Sequence, residues 1–592
     1  MRALRSIVAA FALAIATPGA AAEPNTPDAA KIAFRWDVKI PLRDGTQLSA
    51  NVYLPKGQAA PAPCIFTLTP YIAQSYHDRG VYFAAHGLPF LTVDARGRGN
   101  SEGTFRPLIQ EAEDGHDVVE WLAKQPYCNG KVSMWGGSYA GYNQWAAAKE
   151  APPHLATIVP VASPYPGADF PARNNIFYPY LLQWLNFTSG KASQGNIFGD
   201  GDFWGAIARR RFEEGVAFNT LERELGGDQA TLREWISHPA VDAWYDSYAP
   251  TDAQFRAFSM PILTITGSYD GDQPGAFAFY KKHMALGSPE ARANHYLIVG
   301  PWDHAGTRTP RAEVGGLTFG KESLVDLNKL HVDWYNWTMA GGARPAFLEK
   351  RVAYYVMGAD RWRYADTLEG VTAEERPFYL DSDGGGATRV MASGALNPAR
   401  PGAGRPDRYV YDPRDTSRAA LEASIDPSLL TDQQLVLAGD GKQLVYHSAP
   451  FDKDTEVSGF FRLSAWIAID TPDTDFRAAV YEIDGTGRSI LLTDDIKRAR
   501  FRESPRQAKL VTTRAAQRYD FDSFMFVSRR IAKGSRLRLV IGPLNSIWTQ
   551  KNYNSGGDVS AETMADARPV TVTLHHDRAR PSALYVPIGQ PE

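Results

Sequence analysis

Apolar and polar positions alternate over residues 34–42 and again over 48–54, on either side of Arg43-Asp44-Gly45-Thr46. A period of two broken by a glycine-containing turn predicts a β-hairpin. Residues 63–69, 89–93, 132–135 and 155–161 are instead short apolar runs, the pattern of strands buried on both faces. Residues 73–86, 111–124 and 142–150 suit helices between them. Strand and helix in turn predict a mainly parallel sheet covered on both sides. From about 165 to 257 the strand pattern stops, and aromatic residues such as Phe170, Tyr178, Trp184, Phe187, Trp204 and Trp235 fall at helical or irregular spacing. That stretch reads as a helical insertion. The sheet resumes at 261–266 and 295–299, with helices over 276–285 and 321–339. From about 351 onward short alternating runs lie between turn signals, at 352–357, 408–411, 443–446, 456–469, 476–483, 536–541 and 570–574. They predict an antiparallel sandwich of jelly-roll type.

The run Val132-Ser133-Met134-Trp135-Gly136-Gly137-Ser138-Tyr139-Ala140-Gly141 carries the chemistry. It reads as strand, sharp turn, helix, the arrangement of a nucleophile elbow in an α/β-hydrolase. A strained turn lifts the serine hydroxyl clear of the backbone, and small neighbours let a carbonyl and a base reach one oxygen. The pattern Gly-x-Ser-x-Gly is not met, because Ala140 stands where the second glycine belongs and Gly141 follows it. A serine hydroxyl needs a base, and the base an orienting acid. In this fold they follow in the order serine, acid, histidine, on loops after later strands. Asp270 follows one predicted strand and His304 the next, so Ser138, Asp270 and His304 form the candidate triad. Asp272 and Asp303 compete for the acid, while His283 and His331 fall within helical runs. The oxyanion needs two donors; the backbone N–H of Tyr139 is one, and the phenol of Tyr71, after the strand at 63–69, is the other. The loop Asp94-Ala95-Arg96-Gly97-Arg98-Gly99 misses a dinucleotide fingerprint by one residue and opens no helix. It reads as a loop near the site, pinned by Asp94 and Arg96.

The fold class is thus α/β: an α/β-hydrolase core in residues 23–164 and 258–348, a cap at 165–257 and a C-terminal β-sandwich (jelly roll) at 349–592. A length of 592 residues exceeds what one core sustains. With 63 basic and 66 acidic residues the charge is balanced, which gives no footprint for nucleic acid or an anionic membrane. Arg2 and Arg5, the apolar run 7–16 and Ala20-Ala21-Ala22 have the order of a secretory signal peptide ending at 22, so an exported or periplasmic protein is expected. Only two cysteines occur, Cys64 and Cys128; a bridge is permitted in an oxidising compartment, and two buried free thiols is the reading preferred. His575-His576 lacks acidic neighbours in metal-ligand spacing, and Asp470, Asp473 and Asp475 lack the glycine of a calcium loop. No metal and no cofactor are expected. The expected partner is a small ester or amide substrate, with a homo-oligomer left open.

Taken together, Pro70-Tyr71, Asp94 to Gly99, Gly136-Gly137-Ser138-Tyr139, Gly267-Ser268-Tyr269-Asp270 and Gly300-Pro301-Trp302-Asp303-His304 occur in the order of one family. The chain resembles the cocaine esterase / α-amino-acid ester hydrolase / X-Pro dipeptidyl-peptidase family of serine hydrolases. Asp475-Phe476-Arg477 and the stretch Arg498 to Arg502 are similar to its jelly-roll domain. The resemblance implies the triad named above, with Tyr71 and the Tyr139 N–H as oxyanion hole, where core, cap and sandwich meet. It also implies cleavage of esters or amides of small acyl groups, or release of X-Pro dipeptides. The family's amino-acid ester hydrolases hold an α-ammonium group with a carboxylate cluster. Two of its places fall here on Asp272 and Gln273, and the third near Arg173, with Asp169 close by. One carboxylate remains after the triad acid, and a cation at 173 implies an anionic acyl group, as in glutaryl acylases. Asp272, Arg173 and Trp184 are the candidate substrate contacts. The rivals are an X-Pro dipeptidyl-peptidase and, from another class, a non-catalytic binding protein.

Overall fold

The computed structural model describes residues 29–226, 229–382 and 386–591; the expected signal segment, 1–22, lies outside them. The first six strands are β1 (Ile32–Pro41), β2 (Gln47–Pro55), β3 (Ala62–Thr69), β4 (Phe90–Asp94), β5 (Cys128–Gly137) and β6 (Leu155–Val161). A small hairpin, β7 (Ala172–Arg173) and β8 (Ile176–Phe177), opens the cap. Then come β9 (Ile262–Tyr269) and β10 (His295–Asp303), a second small hairpin of β11 (Glu313–Val314) and β12 (Leu317–Thr318), and β13 (Val352–Val356) and β14 (Arg361–Ala365). Apart from the two hairpins, these form one sheet in the order β1-β2-β4-β3-β5-β6-β9-β10-β13-β14, parallel from β4 to β13 and antiparallel at both margins.

Alternate residues of a central strand serve opposite faces of the sheet. Met134 packs with Val118, Leu122 and Trp145 on one side, and Trp135 with Phe83, Trp334 and Tyr335 on the other. All are nearly inaccessible, and each such side chain stabilises the fold by about 1.5–3 kcal/mol. This two-sided burial is why β3 to β6 read as continuous apolar runs. Cys64 and Cys128 are buried free thiols on the neighbouring strands β3 and β5.

One boundary moves. The run at 352–357 was expected in the sandwich, yet β13 pairs in parallel with β10 through Leu297↔Val352 and Val299↔Tyr354, and β14 closes that edge. Every residue of β13 is buried, so this short apolar and aromatic run is a core strand covered on both faces. The hydrolase sheet therefore runs to about residue 365 rather than ending before 349. The remaining strands form the sandwich, whose core includes Leu463, Ile467, Leu539 and Val572. The run expected at 456–469 is two strands, Thr455–Phe460 and Arg462–Ile469.

The insertion is helical, with segments Tyr180–Phe187, Gly201–Glu214, Ala230–Ile236, Ala243–Tyr248 and Asp252–Ala257. Arg498 locks it to the sandwich. Its guanidinium makes a two-pronged pair with Asp475 at 2.9 Å on each side and donates to the Asn175 carbonyl at 3.0 Å and the Gln550 side chain at 3.0 Å. Both charges are buried, so deleting either partner would leave an uncompensated charge, a loss on the order of 3–5 kcal/mol. No helix among the described residues is long and apolar enough to cross a membrane.

Candidate active site

Tyr71, Ser138, Asp270 and His304 leave β3, β5, β9 and β10 at the carboxyl edge of the parallel sheet, the rim where open α/β sheets keep their sites. Ser138 joins β5 to the helix Tyr139–Lys149 with φ 61° and ψ −132°, a conformation costly for a residue with a Cβ. Its N–H donates to the Val161 carbonyl at 2.9 Å, and its carbonyl accepts from Gly141 and Tyr142. A side chain on Gly136 would lie 2.7 Å from the Ala140 Cβ, and one on Gly141 2.6 Å from the Val161 carbonyl oxygen. Gly136 thus makes the room that Ala140 occupies, and Gly141 lets the helix sit against β6. The shifted glycine is a packing solution for the same turn. The Tyr139 N–H opens the helix and has no acceptor within it. The Tyr139 phenol points away, hydrogen-bonded to buried Glu111 and the Leu108 N–H. Burial pushes the Glu111 carboxyl up to about 7.

Asp270 is fully buried. Its Oδ1 lies 2.7 Å from His304 Nδ1 and accepts the Asp272 N–H at 3.1 Å; its Oδ2 accepts the Thr266 hydroxyl at 2.8 Å. That environment separates it from Asp303, which caps the following turn by accepting the Gly306 N–H. The His304 ring is 38% exposed, enough to be reached by substrate. Burial pulls its pKa down, but the Asp270 carboxylate and then Asp272 outweigh this, so it stands above the ordinary 6.5. Among the described residues the Ser138 hydroxyl is bonded to Tyr71 and not to His304: the Tyr71 phenol donates to Ser138 Oγ at 3.3 Å. Bonds between nucleophile and base are often long before substrate arrives.

Tyr71 is fixed by the cap. Its ring stacks on Phe187 with centroids 5.3 Å apart, its oxygen accepts the Trp184 indole N–H at 3.2 Å, and burial pushes its pKa to about 12. An indole nitrogen only donates. The phenol oxygen therefore receives from Trp184 and turns its own proton to Ser138. Trp184, expected to touch substrate, is placed here against Tyr71 and the Tyr139 ring. Behind Tyr71, buried Arg98 donates to the Pro70 carbonyl at 2.7 Å and to cap carbonyls at Phe187, Ser189, Gly190 and Ala192. Arg98 is the residue that sequence reasoning passed over. Arg96 takes the expected structural role, paired with Asp114 and Asp44, and Asp94 accepts the Ala73 N–H at 2.6 Å.

The other candidates separate. Asp272 Oδ2 sits 3.9 Å from His304 Nδ1, and burial first, with help from Asp169 and Asp270, pushes it to about 8. Asp169 is also pushed to about 8 by burial, although it accepts the N–H groups of Tyr165 and Gly275. Gln273 turns away from the rim to bond Gly267, Ser268 and both main-chain groups of Phe526 in the sandwich. Arg173 pairs with Asp494 at 3.2 Å and donates to its carbonyl at 2.8 Å, at the seam between cap and sandwich. Arg308, one turn beyond His304, lies so close to Gly137 that a side chain there would meet its Nη1 at 2.4 Å; its proximity to His304 in sequence was the available signal. His283 and His295 form a buried pair at 2.8 Å, His331 is buried, and His576 pairs with Asp407 inside the sandwich.

Residues 44–306 match the family model described as X-Pro dipeptidyl-peptidase (S15 family), and residues 346–584 the X-Pro dipeptidyl-peptidase C-terminal non-catalytic domain. The chain is 25% identical over 583 residues to the cocaine esterase of Rhodococcus sp. (strain MB1 Bresler), covering 93% of this chain and 98% of that protein. It is 24% identical to a putative serine esterase of Mycobacterium bovis, over 93% and 95% of the two chains. Among solved structures, an α-amino-acid ester hydrolase superposes with a TM-score of 0.80 at 20% identity, covering 98% and 100%. An aminopeptidase from a marine sediment Thaumarchaeota archaeon gives 0.79 at 21%, covering 95% and 98%. These last two bear on the fold, an α/β-hydrolase core carrying a β-sandwich. The chain belongs to the family of serine hydrolases that holds the S15-type X-Pro dipeptidyl-peptidases and cocaine esterase.

Proposed function

We propose that this hydrolase is exported and cleaves esters or activated amides of small acyl groups through an acyl-enzyme on Ser138. In this reading His304, oriented by Asp270, takes the proton from Ser138 as its oxygen attacks the carbonyl. Tyr71 and the Tyr139 N–H receive the oxyanion, and His304 protonates the leaving group before water releases the acid. The observation that carries it is the pairing at one rim of a strained serine bonded to a phenol with a buried aspartate bonded to a partly exposed histidine. The amino-terminal pattern from Arg2 to Ala22 supports export.

The match to the S15 model supports a second reading, release of X-Pro dipeptides. That activity needs an anion for a free amine. Asp272 is the carboxyl available beside His304, whereas Gln273 and Asp169 are occupied by main-chain groups. A panel of aryl esters whose acyl groups end in a cation, an anion or a methyl group, run beside an X-Pro anilide, separates the two. Ester turnover at least about tenfold above that of the anilide is expected, and the reverse order makes the protein a peptidase. A fluorophosphonate probe should label Ser138; an unlabelled protein would be a binding module.

The pH dependence follows from the sign of the His304 shift. A general base works when neutral, so kcat/KM rises with pH as His304 loses its proton. With its pKa raised by Asp270 and Asp272, the acid limb should lie above pH 6.5, a value set by the unperturbed imidazole. Asp272→Asn removes the lesser of the two raising influences and should move the limb down only slightly, because burial keeps Asp272 largely protonated below about pH 8. A limb that stays or moves up shows that Asp272 does not act on His304.

A further inference from the structure

A cavity of about 310 Å³ lies where cap and sandwich meet. Three guanidinium groups line it: Arg173 from β8's partner strand β7, and Arg418 and Arg477 from the sandwich. Four carboxylates share the wall, and each already has a partner. Asp494 accepts Arg173 and Arg477, at 3.2 and 2.8 Å. Burial works against its charge, but these two arginines hold its pKa at about 2. Glu422 accepts the Ser546 hydroxyl and, at 2.9 Å, the Ile547 N–H. Asp426 and Asp432 each accept from the residue two ahead, Ser428 and Gln434.

Arg418 differs. Among the described residues no hydrogen bond or close ion pair reaches its guanidinium, and its Nε is buried without an acceptor. Burial, with Arg477 adding repulsion, disfavours its charge even though Glu422 lies one helical turn away. The Nε–H is a buried donor left unmatched, which costs free energy unless an acceptor enters, and the Nη groups of the same planar fork are free of protein partners among the described residues, so an acceptor in the cavity meets a fork of matched geometry. The rest of the wall is largely apolar, with Leu435, Leu491, Val540 and Trp548. Carboxylate binds guanidinium through two parallel bonds, and an aliphatic or aromatic body suits the remaining surface. We infer that the seam between cap and sandwich is a binding site for a small organic carboxylate with an apolar body, held by Arg418. The site stands on its own observations and does not depend on the catalytic roles given above.

The probe is benzoate, titrated into the full chain with Ser138 blocked by a phosphonate so that the catalytic rim is closed. Saturable quenching of the fluorescence of Trp548, read as the part lost in Trp548→Phe, is expected. Benzamide, of the same shape without charge, should bind at least about tenfold more weakly, as should R418Q, since a charge-assisted pair of hydrogen bonds is lost. If R418Q fails to fold, R418K keeps the charge but not the fork and should still weaken benzoate several-fold. Equal binding of benzamide, unchanged affinity in R418K, or tighter binding of inorganic phosphate than of benzoate would each overturn the assignment. Loss of benzoate binding on blocking Ser138 would place the ligand at the rim and overturn it as well. If the hydrolytic reading fails and Ser138 takes no phosphonate, the titration is run on the unblocked chain, and the benzamide, R418Q and R418K comparisons still decide it.

Discussion

Ser138→Ala is expected to lower kcat by roughly 10⁴- to 10⁶-fold toward aryl esters, the range in which loss of a serine nucleophile falls, with KM little changed. The size follows from the chemistry: without Oγ no acyl-enzyme forms, and what remains is positioning and the oxyanion donors. The variant should fold as the parent does, because alanine keeps the Cβ and only the bond from Tyr71 is given up. Burst kinetics and fluorophosphonate labelling should disappear with turnover. A second substitution checks that the loss is chemical and not structural. At φ 61° and ψ −132° a residue with a Cβ carries strain of about 1–3 kcal/mol, and glycine relieves it at an entropic cost of up to about 1 kcal/mol. Ser138→Gly should therefore be as inactive as Ser138→Ala yet more stable by about 1 kcal/mol in denaturant unfolding. Retained turnover in either variant removes Ser138 from the mechanism; a glycine variant less stable than the alanine one removes the strain.

What was legible in the chain was what depends on neighbours in sequence. The turn at Ser138 could be read because a both-faces-buried strand, two glycines and a helix follow one another within one short stretch. Asp270 and His304 could be read because each directly follows an apolar run of the same kind. Where partners are remote, the letters are silent. Arg98 sits in a glycine-rich loop where any of three charged residues could have pinned it; that its guanidinium is fully buried depends on carbonyls about ninety residues away in the cap. Trp184 is one of many cap aromatics, and nothing beside it marks the indole that meets Tyr71. Asp272 and Gln273 are adjacent letters, but the first turn of the helix Gln273–Leu286 sends one toward His304 and the other to Phe526. The sandwich boundary slipped for a related reason: a five-residue apolar and aromatic run such as Val352 to Val356 looks alike in a parallel strand and an antiparallel one, and only pairing with β10 decides.

Tyr71→Phe is expected to lower kcat by about 10²- to 10³-fold, the loss that follows removal of one oxyanion donor, while KM changes little because the ground-state carbonyl needs that donor less than the developing oxyanion does. The fold should be unaffected, since phenylalanine keeps the stacking on Phe187. With its pKa near 12 the phenol stays protonated through any working pH, so the deficit should be the same at pH 6 and pH 9. That flatness separates a donor from a base, whose removal would change the shape of the profile. The wiring behind Tyr71 adds a graded test. Because the Trp184 N–H occupies the phenol oxygen, it fixes the rotor that aims the proton at Ser138; Trp184→Phe keeps an aromatic ring but frees that rotor. It should lower kcat several-fold in the parent and have almost no further effect once Tyr71 is phenylalanine, the non-additivity expected of two residues acting through one bond. If the two losses multiply instead, Trp184 acts on the substrate directly, and the phenol is oriented by something else.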